Sequence, residues 1–346
     1  MKDLSVVILT WNTAALVRAC ILGIRRELAD LQAKYGVTSE IWVVDNGSTD
    51  GTAERWAGEP KGIEWLVLEE NLGFAAGNNA AFARCQGRAL LLLNSDAAIS
   101  SDGIASCLEV LHSSREVGAV GPRLVGPDGR TQASVHGFPG VLDELVPRRL
   151  REVRARRVRL GGSEAIRVDA LRGAVFFVKR EVLDRIGPLN DDYFFFLEET
   201  EWCWRMREAQ IDVLYLPDVM ALHVGGASSK AVSPVRTRIE FHAALYRFVE
   251  ARQGRIAAGV VRGIRLLRAV GTALLAAPTA LFRDTSRQRL RERLALVSWH
   301  LRGRPEGEGL APPGRGAKRH GGLDGHGEKG EASAEAAQPR PTGAES

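Results

Sequence analysis

Polar residues stand at three places where an apolar run ends, and each could meet a charged ligand. Asn94, Ser95 and Asp96 follow Ala89–Leu93. A carboxylate fixed there could carry a hard divalent cation, which needs only one or two protein carboxylates when substrate phosphates supply the other ligands. The same tripeptide could serve instead as a helix N-cap or strand-end turn. Thr10 and Asn12 follow Leu4–Leu9, and Asp45 and Asn46 follow Glu40–Val44. From Asn71 to Asn78, Gly73 and Gly77 permit close backbone approach, and a helix start offers free N–H groups to an anion. Glu198, Glu199 and Glu201 come directly after the aromatic run Tyr193–Phe196. A carboxyl partly buried among other acids has a raised pKa and suits a general base. As plain helix-start acids they would instead complement the macrodipole. His223, just before Val224 and Gly225, is either structural or, if near Asp96, a second metal ligand or phosphate contact.

The elements that must position these groups alternate. Leu4–Leu9, Glu40–Val44, Ile63–Leu68, Ala89–Leu93 and Val117–Val120 are strand-like, and the continuous apolar run Leu4–Leu9 fits a buried parallel strand. Helical segments separate them: Ala14 to about Ala33, a short piece ending near Trp56, Phe74–Cys85, and a helix through His112 capped by Ser101 or Asp102. Such alternation implies a mostly parallel sheet with right-handed crossovers, in which ligands bind beyond the carboxyl ends of the strands. Further on, Val168–Lys179 and Val213–Leu216 are strands, and Val182–Ile186 and Trp202–Ala209 are helices. After Pro234 the pattern is helical over 235–252, 255–282 and 284–301. From Gly303 large apolar residues nearly vanish, so a disordered tail is expected.

The apolar share of 45% and charged share of 26% across 346 residues are those of a globular protein. No apolar run is long enough to span a membrane, and no signal-peptide pattern opens the chain. The cysteines Cys20, Cys85, Cys107 and Cys203 form no paired motif and fit buried free thiols. These features place the protein in the cytoplasm. The net charge of +5 is uneven, with seven arginines between Arg148 and Arg159. That cluster favours phosphates, acidic glycans or an anionic membrane, or is a solvated face. No nucleic-acid motif accompanies it, so no nucleic-acid partner is expected.

Taken in order, the pieces resemble the GT-A fold of glycosyltransferase family 2, in particular its rhamnosyltransferase-like and galactofuranosyltransferase-like bacterial members. The resemblance rests on Ser5–Asn12 (SVVILTWN), Ile41–Thr52, Asn71–Ala81, Leu91–Ile99 (LLLNSDAAI), Arg172–Ala174, Phe194–Ala209 and Leu216–Ser229. It spans about residues 4–230. It implies an α/β, Rossmann-like catalytic domain over residues 1–232, with a helical extension over 233–302 and the tail beyond. It also implies site roles. Thr10, Asn12 and Asp45 match positions that hold the nucleoside, and Asn71, Gly73 and Asn78 match those near ribose, diphosphate or donor sugar. Asn94 and Ser95 occupy the first two places of the family's DxD motif. Asp96 matches its last acid, which binds Mg²⁺ or Mn²⁺ through the diphosphate, and His223 matches a histidine near the metal. Glu199 falls at the catalytic acid, with Glu198 as the alternative base. Two positions depart from the family pattern, Asn94 where an acid is usual and Glu199 where aspartate is usual.

The implied reaction is inverting transfer of a rhamnose- or hexose-like sugar from a nucleoside-diphosphate sugar to a hydroxyl of a glycan or lipid-linked acceptor, in cell-envelope polysaccharide synthesis. A non-catalytic carbohydrate-binding scaffold and a sugar nucleotidyltransferase are the competing readings. The segment 255–282 reads as a basic amphipathic helix, with Arg262, Arg265 and Arg268 broadly on one side. It would lie on the inner face of the cell membrane, or else pack on the catalytic domain or in an oligomer.

Overall fold

In the computed structural model, residues 1–56, 62–146, 164–225, 233–280 and 284–312 are described. The strands in chain order are β1 (Lys2–Thr10), β2 (Ser39–Asp45), β3 (Glu64–Val67), β4 (Gly87–Asn94), β5 (Ala97–Ile99) and β6 (Val117–Val125). They continue with β7 (Val135–His136), β8 (Ile166–Arg167), β9 (Ala170–Leu171), β10 (Val175–Lys179) and β11 (Asp212–His223). The helices are α1 (Ala14–Tyr35), α2 (Thr52–Trp56), α3 (Gly73–Phe82), α4 (Ser101–His112) and α5 (Val141–Leu145), then α6 (Arg180–Ile186), α7 (Glu198–Glu208), α8 (Pro234–Ala280) and α9 (Asp284–Leu301).

One nine-stranded sheet runs β3-β2-β1-β4-β10-β6-β11-β5, with β8 beside β11. β1 pairs in parallel with β2 and β4, in a register that sets Thr10 opposite Asp45 and Leu9 opposite Asn94. The polar ends of three neighbouring strands thus open on one sheet edge. Strand β10 runs antiparallel to both β4 and β6. The expected single strand over Val168–Lys179 is two, because the chain turns through Arg172, Gly173 and Ala174 between β9 and β10. That turn stands at the same sheet edge, where the Asn94 amide donates to the Ala174 carbonyl at 2.9 Å.

Both faces of the central sheet are covered, which explains the continuous apolar runs of β1 and β4. Val6 and Ile8 pack with α1 and α4 residues such as Ile21, Leu28 and Leu108. Val7 belongs to the opposite core, with Phe82, Phe176 and Trp202. There Trp202 stacks on Phe82 and Phe176 at 6.1 and 5.8 Å. Leu245, Phe248 and Val249 of α8 and Trp299 of α9 join this second core, so these helices are continuous with the sheet-bearing fold. Within α8 the helix breaks at Gly254, whose φ of 86° suits glycine. The break falls between the two helices that the sequence pattern predicts.

Four expectations shift. The cap of α4 is Ser100, whose hydroxyl accepts from Gly103 N–H, not Ser101 or Asp102. Helix α7 begins at Glu198 rather than Trp202, because Phe196 and Leu197 take positive φ (75° and 66°) and turn the chain straight into helix. The tail expected from Gly303 is packed as far as Pro312, with the buried Glu240 carboxylate accepting from the N–H groups of Leu310 and Ala311 at 2.9 and 3.1 Å. Residues 313–346 lie outside the described residues, as does the arginine cluster 148–159.

The fourth concerns the basic side of α8. Its arginines turn inward: Arg265 and Arg268 both engage Glu144 of α5, whose side chain is only 3% exposed, and Arg262 pairs with Glu250 at 3.0 Å. The Arg262 and Arg265 guanidiniums also lie over the rings of Tyr246 and Phe241. A buried carboxylate must be paired, and this demand overrides solvation of the arginines. All four cysteines are free and buried, and burial raises the Cys20 thiol to about 12, leaving it inert. Among the described residues no helix is long and apolar enough to cross a membrane.

Candidate active site

A cavity of about 950 Å³ opens at the carboxyl edge of β1 and β4. Thr10, Asn71, Gly73, Asn94, Ser95 and Asp96 stand on its wall, as do Glu198, Glu199 and His223. Residues separated by more than two hundred positions thus converge as their order in the sequence suggests. Asn12, Asp45 and Asn78 are not on that wall. Asn78 is buried in α3 and its amide donates to the Phe74 carbonyl at 2.8 Å, so it holds the helix.

The loops beyond β1 and β2 are stitched together by amides. Asn12, at φ 52°, accepts from Thr49 N–H at 2.8 Å and donates its own N–H to the Ser48 hydroxyl at 2.9 Å. Asp45 is fully buried. Its Oδ1 accepts from Ser48 N–H at 3.0 Å, while Oδ2 has no hydrogen-bond partner among the described residues. A buried carboxylate oxygen left open is costly, and a ligand donor would satisfy it. Asn46 accepts from Leu72 N–H at 2.8 Å and donates to Asn71 Oδ1 and the Gly73 carbonyl. At Gly73, φ is 84° and an added Cβ would collide with the Phe194 carbonyl, which accepts from Phe74 N–H at 2.8 Å. The glycine turn is thereby locked to the aromatic block.

Asp96 and His223 meet across the mouth of β4 and β11. Asp96 Oδ2 accepts from Gly225 N–H at 3.0 Å, and Oδ1 lies 3.5 Å from His223 Nε2. Gln132 settles the histidine tautomer. Its Nε2 donates to the His223 carbonyl at 2.7 Å, so its Oε1, 2.8 Å from Nδ1, must accept a proton from that ring nitrogen. Burial lowers the His223 pKa and keeps the ring neutral. Nε2 therefore presents a lone pair toward a carboxylate oxygen. Two acceptors facing each other favour a cation between them, and an outer partner on the far ring nitrogen is how metal-binding histidines are oriented. The pair fits a divalent ion completed by substrate oxygens. Among the described residues no group of three or more His, Cys, Asp or Glu could hold a metal alone.

The acids of α7 sit in its first turn, where Leu197 provides no side-chain cap. Glu198 is buried, and its Oε2 has no hydrogen-bond partner among the described residues. Desolvation, with Glu199 beside it, pushes its pKa well above the usual carboxylate value. Burial raises Glu199 too, but backbone N–H groups and the Arg172 guanidinium support its charged form. Glu199 faces Gly173, in the turn between β9 and β10. His136, also on the wall, lies 2.7 Å from the Thr200 hydroxyl and is lowered to about 4 by burial and by Arg172.

Sequence reasoning gave no role to Arg172, although it lies in the quoted Arg172–Ala174 motif. It also passed over Trp11, Gln132, Arg236, Phe241 and Leu310. Gln132 sits in a turn-rich stretch, and the last three come from helices and tail far along the chain, so no local pattern marks them.

A sheet edge that combines nucleotide-sized space, a carboxylate–histidine pair and a helix-borne carboxylate defines a transferase of the GT-A fold. The chain belongs to glycosyl transferase family 2, whose model matches residues 5–186. It is 25% identical over 248 residues to the N-acetylglucosaminyl-diphospho-decaprenol L-rhamnosyltransferase of Mycobacterium tuberculosis, covering 66% of this chain and 80% of that protein. It is 23% identical over 241 residues to the low-salt glycan biosynthesis hexosyltransferase Agl10 of Haloferax volcanii, covering 64% of this chain and 67% of that one. The crystal structure of GalNAc-T7 with UDP, GalNAc and Mn²⁺ shares the fold, with a TM-score of 0.50 and 14% identity over 71% of this chain and 48% of that one.

Proposed function

We propose that the protein transfers a sugar, rhamnose- or hexose-like, from a nucleoside diphosphate to a hydroxyl of a glycan or lipid-linked acceptor, with inversion. The observation that carries the reading is the placement of the Asp96–His223 pair and Glu199 on one cavity wall. Asp96 and His223 would hold Mg²⁺ or Mn²⁺. When bound, that ion supplies positive charge to a diphosphate leaving group. Thr10 lines the nucleoside end of the cavity, and Asn12 and Asp45, off its wall, brace the loops beyond β1 and β2 that border it. Asn71, Gly73, Asn94 and Ser95 line the path to the diphosphate and sugar.

Glu199 is the general base. A base must be ionised at working pH, and Glu199 has Arg172 and backbone N–H groups to hold its charge. Glu198, buried beside it with an unpaired oxygen, remains protonated. With the acceptor hydroxyl oriented against Glu199, the proton leaves as the oxygen attacks the anomeric carbon, so no covalent enzyme intermediate is required. The helical extension, residues 233–302, forms the acceptor side, since Arg236 and Phe241 stand on the wall.

The test is a screen of UDP-, dTDP- and GDP-sugars for metal-dependent thermal stabilisation, followed by nucleoside diphosphate release with glycan and lipid-linked acceptors. One donor should stabilise the fold only with divalent ion, and its product should carry the inverted anomeric configuration. Release of diphosphate with retained configuration would overturn the direct displacement. Failure of every sugar nucleotide to bind would overturn the site.

A further inference from the structure

The Gly- and Pro-rich stretch 303–312 beyond α9 holds one large apolar residue, Leu310, and it stands on the cavity wall. Leu310 is only half-buried, so its side chain is not what anchors the segment. The backbone is the anchor. Glu240, 7% exposed, accepts through one carboxylate oxygen from the N–H groups of both Leu310 and Ala311, and Arg236 Nε donates to the Gly309 carbonyl at 2.8 Å. An added Cβ at Gly309 would collide with that same Glu240 oxygen, so only glycine lets the chain come this close. Nearer α9, Arg302 pairs with Glu308 at 2.6 Å and Trp299 Nε1 donates to the Pro305 carbonyl at 3.3 Å. A strap tied down through its backbone leaves the Leu310 side chain to meet whatever fills the cavity.

The strap borders one particular end of the cavity. Phe241, next to Glu240, meets Phe196 edge-on at 5.7 Å, two residues before Glu198. Burial, with Glu199 and then Glu240 nearby, raises the Glu198 carboxyl, whereas burial, Asp96 and Arg172 act on His223. The strap therefore stands beside the first turn of α7 and away from the Asp96–His223 pair. We propose that Leu310, held on this strap by Glu240, sets the size of the acceptor that can reach Glu199. The proposal rests on the sugar-transfer reading, in which the acceptor enters beside Glu199 and the donor diphosphate lies at Asp96. Leu310, Pro312 and Phe241 offer apolar contact there, which suits the C–H face of a sugar ring and discriminates by volume rather than by hydrogen bonding. With two N–H groups bonded to a buried carboxylate, the wall does not retreat to admit a larger group.

Leu310→Cys tests this in the full chain, because all four native cysteines are buried and the new thiol is the accessible one. The variant is labelled with methyl or benzyl methanethiosulfonate and given Mn²⁺ with UDP-, dTDP- and GDP-sugars. Donor affinity is measured by calorimetry, and nucleoside diphosphate release is measured with water alone and with octyl glycosides as acceptors. The benzyl label should lower release by more than about tenfold while donor affinity stays within about twofold. The smaller methyl label should cost less than about threefold. Leu22→Cys on α1, labelled alike, should behave as the wild type. If Leu310→Cys melts early, Leu310→Ala against Leu310→Trp carries the same contrast. Glu240→Ala should speed hydrogen exchange at the Leu310 and Ala311 amides by more than about tenfold. Unchanged release after benzyl labelling, equal losses from the two labels, loss of donor affinity, or unaltered exchange in Glu240→Ala would overturn the proposal. Binding of no sugar nucleotide by the wild type would instead overturn the sugar-transfer reading, and the proposal falls with it.

Discussion

Glu198 and Glu199 stand one residue apart in the same turn, yet their environments predict opposite responses to amide substitution. Glu198 is buried, with one carboxyl oxygen unpartnered among the described residues, and desolvation pushes its pKa well above the usual carboxylate value, which favours its protonated form. Glu198→Gln then replaces one neutral group by another of the same shape, and kcat should fall less than about threefold. With Glu199 as the proposed proton acceptor, Glu199→Gln should lower kcat by about 10² to 10⁴, the usual contribution of a general base. That range corresponds to about 3–5 kcal/mol in the barrier. The assay is nucleoside diphosphate release at saturating donor, with donor affinity measured separately by calorimetry and unchanged in both variants. The pH profile gives a second reading. Because burial raises the Glu199 pKa above 4.5, activity should fail as pH drops through that raised value and the base becomes protonated. Arg172 lowers the same pKa, so Arg172→Gln should move the acid limb to higher pH. Equal losses for the two Gln variants, or an acid limb unmoved by Arg172→Gln, would refute the assignment.

Other outcomes follow from the same geometry. Asp96→Ala should abolish the metal dependence of donor binding, measured as the loss of Mn²⁺-induced thermal stabilisation by sugar nucleotide. Glu144→Gln removes the charge between Arg265 and Arg268, which are 23% and 47% exposed, so the usual 3–5 kcal/mol for breaking a buried pair falls to about 2–3 kcal/mol. Calorimetry should show a melting temperature lower by about 5 °C. Gly73→Ala forces a positive φ on alanine against the Phe194 carbonyl and should cost about 1–3 kcal/mol in stability, with a fall in kcat/KM in steady-state assays. Glu198 binds its proton more tightly in the folded chain, so its burial costs stability as pH rises from 4.5 through the folded pKa. Glu198→Gln should therefore melt above the wild type at pH 8, and the two curves should converge in acid.

The parallel half of the sheet was legible because β1, β2 and β4 are buried on both faces and end in polar residues. That single pattern locates Thr10, Asp45 and Asn94 without any knowledge of tertiary contacts. The antiparallel β10 was not legible, since strand direction depends on its partners β4 and β6, and no local residue records it. Trp202 looked like the start of α7 because apolar periodicity begins there. The acids before it are helical only through the left-handed Phe196 and Leu197, a conformation that composition does not announce. The arginines of α8 misled for an electrostatic reason. Spacing shows which residues share a face, but the sign of burial was set by Glu144, more than a hundred residues away. Gln132, which fixes the His223 tautomer, is invisible for the same reason: its partner lies 91 positions further along.

The cavity wall that includes Arg236, Phe241, Leu310 and Pro312 bears on how such enzymes can be cut and recombined. A fragment ending at residue 232 would keep the proposed nucleotide end of the site but lack one bank of the cavity. That bank is complete only once Leu310 and Ala311 reach Glu240. Chimeras spliced at residue 232 would accordingly exchange the proposed acceptor bank as a unit and leave the proposed donor trough of the recipient intact. A splice inside α9 would separate Glu240 from the residues it holds.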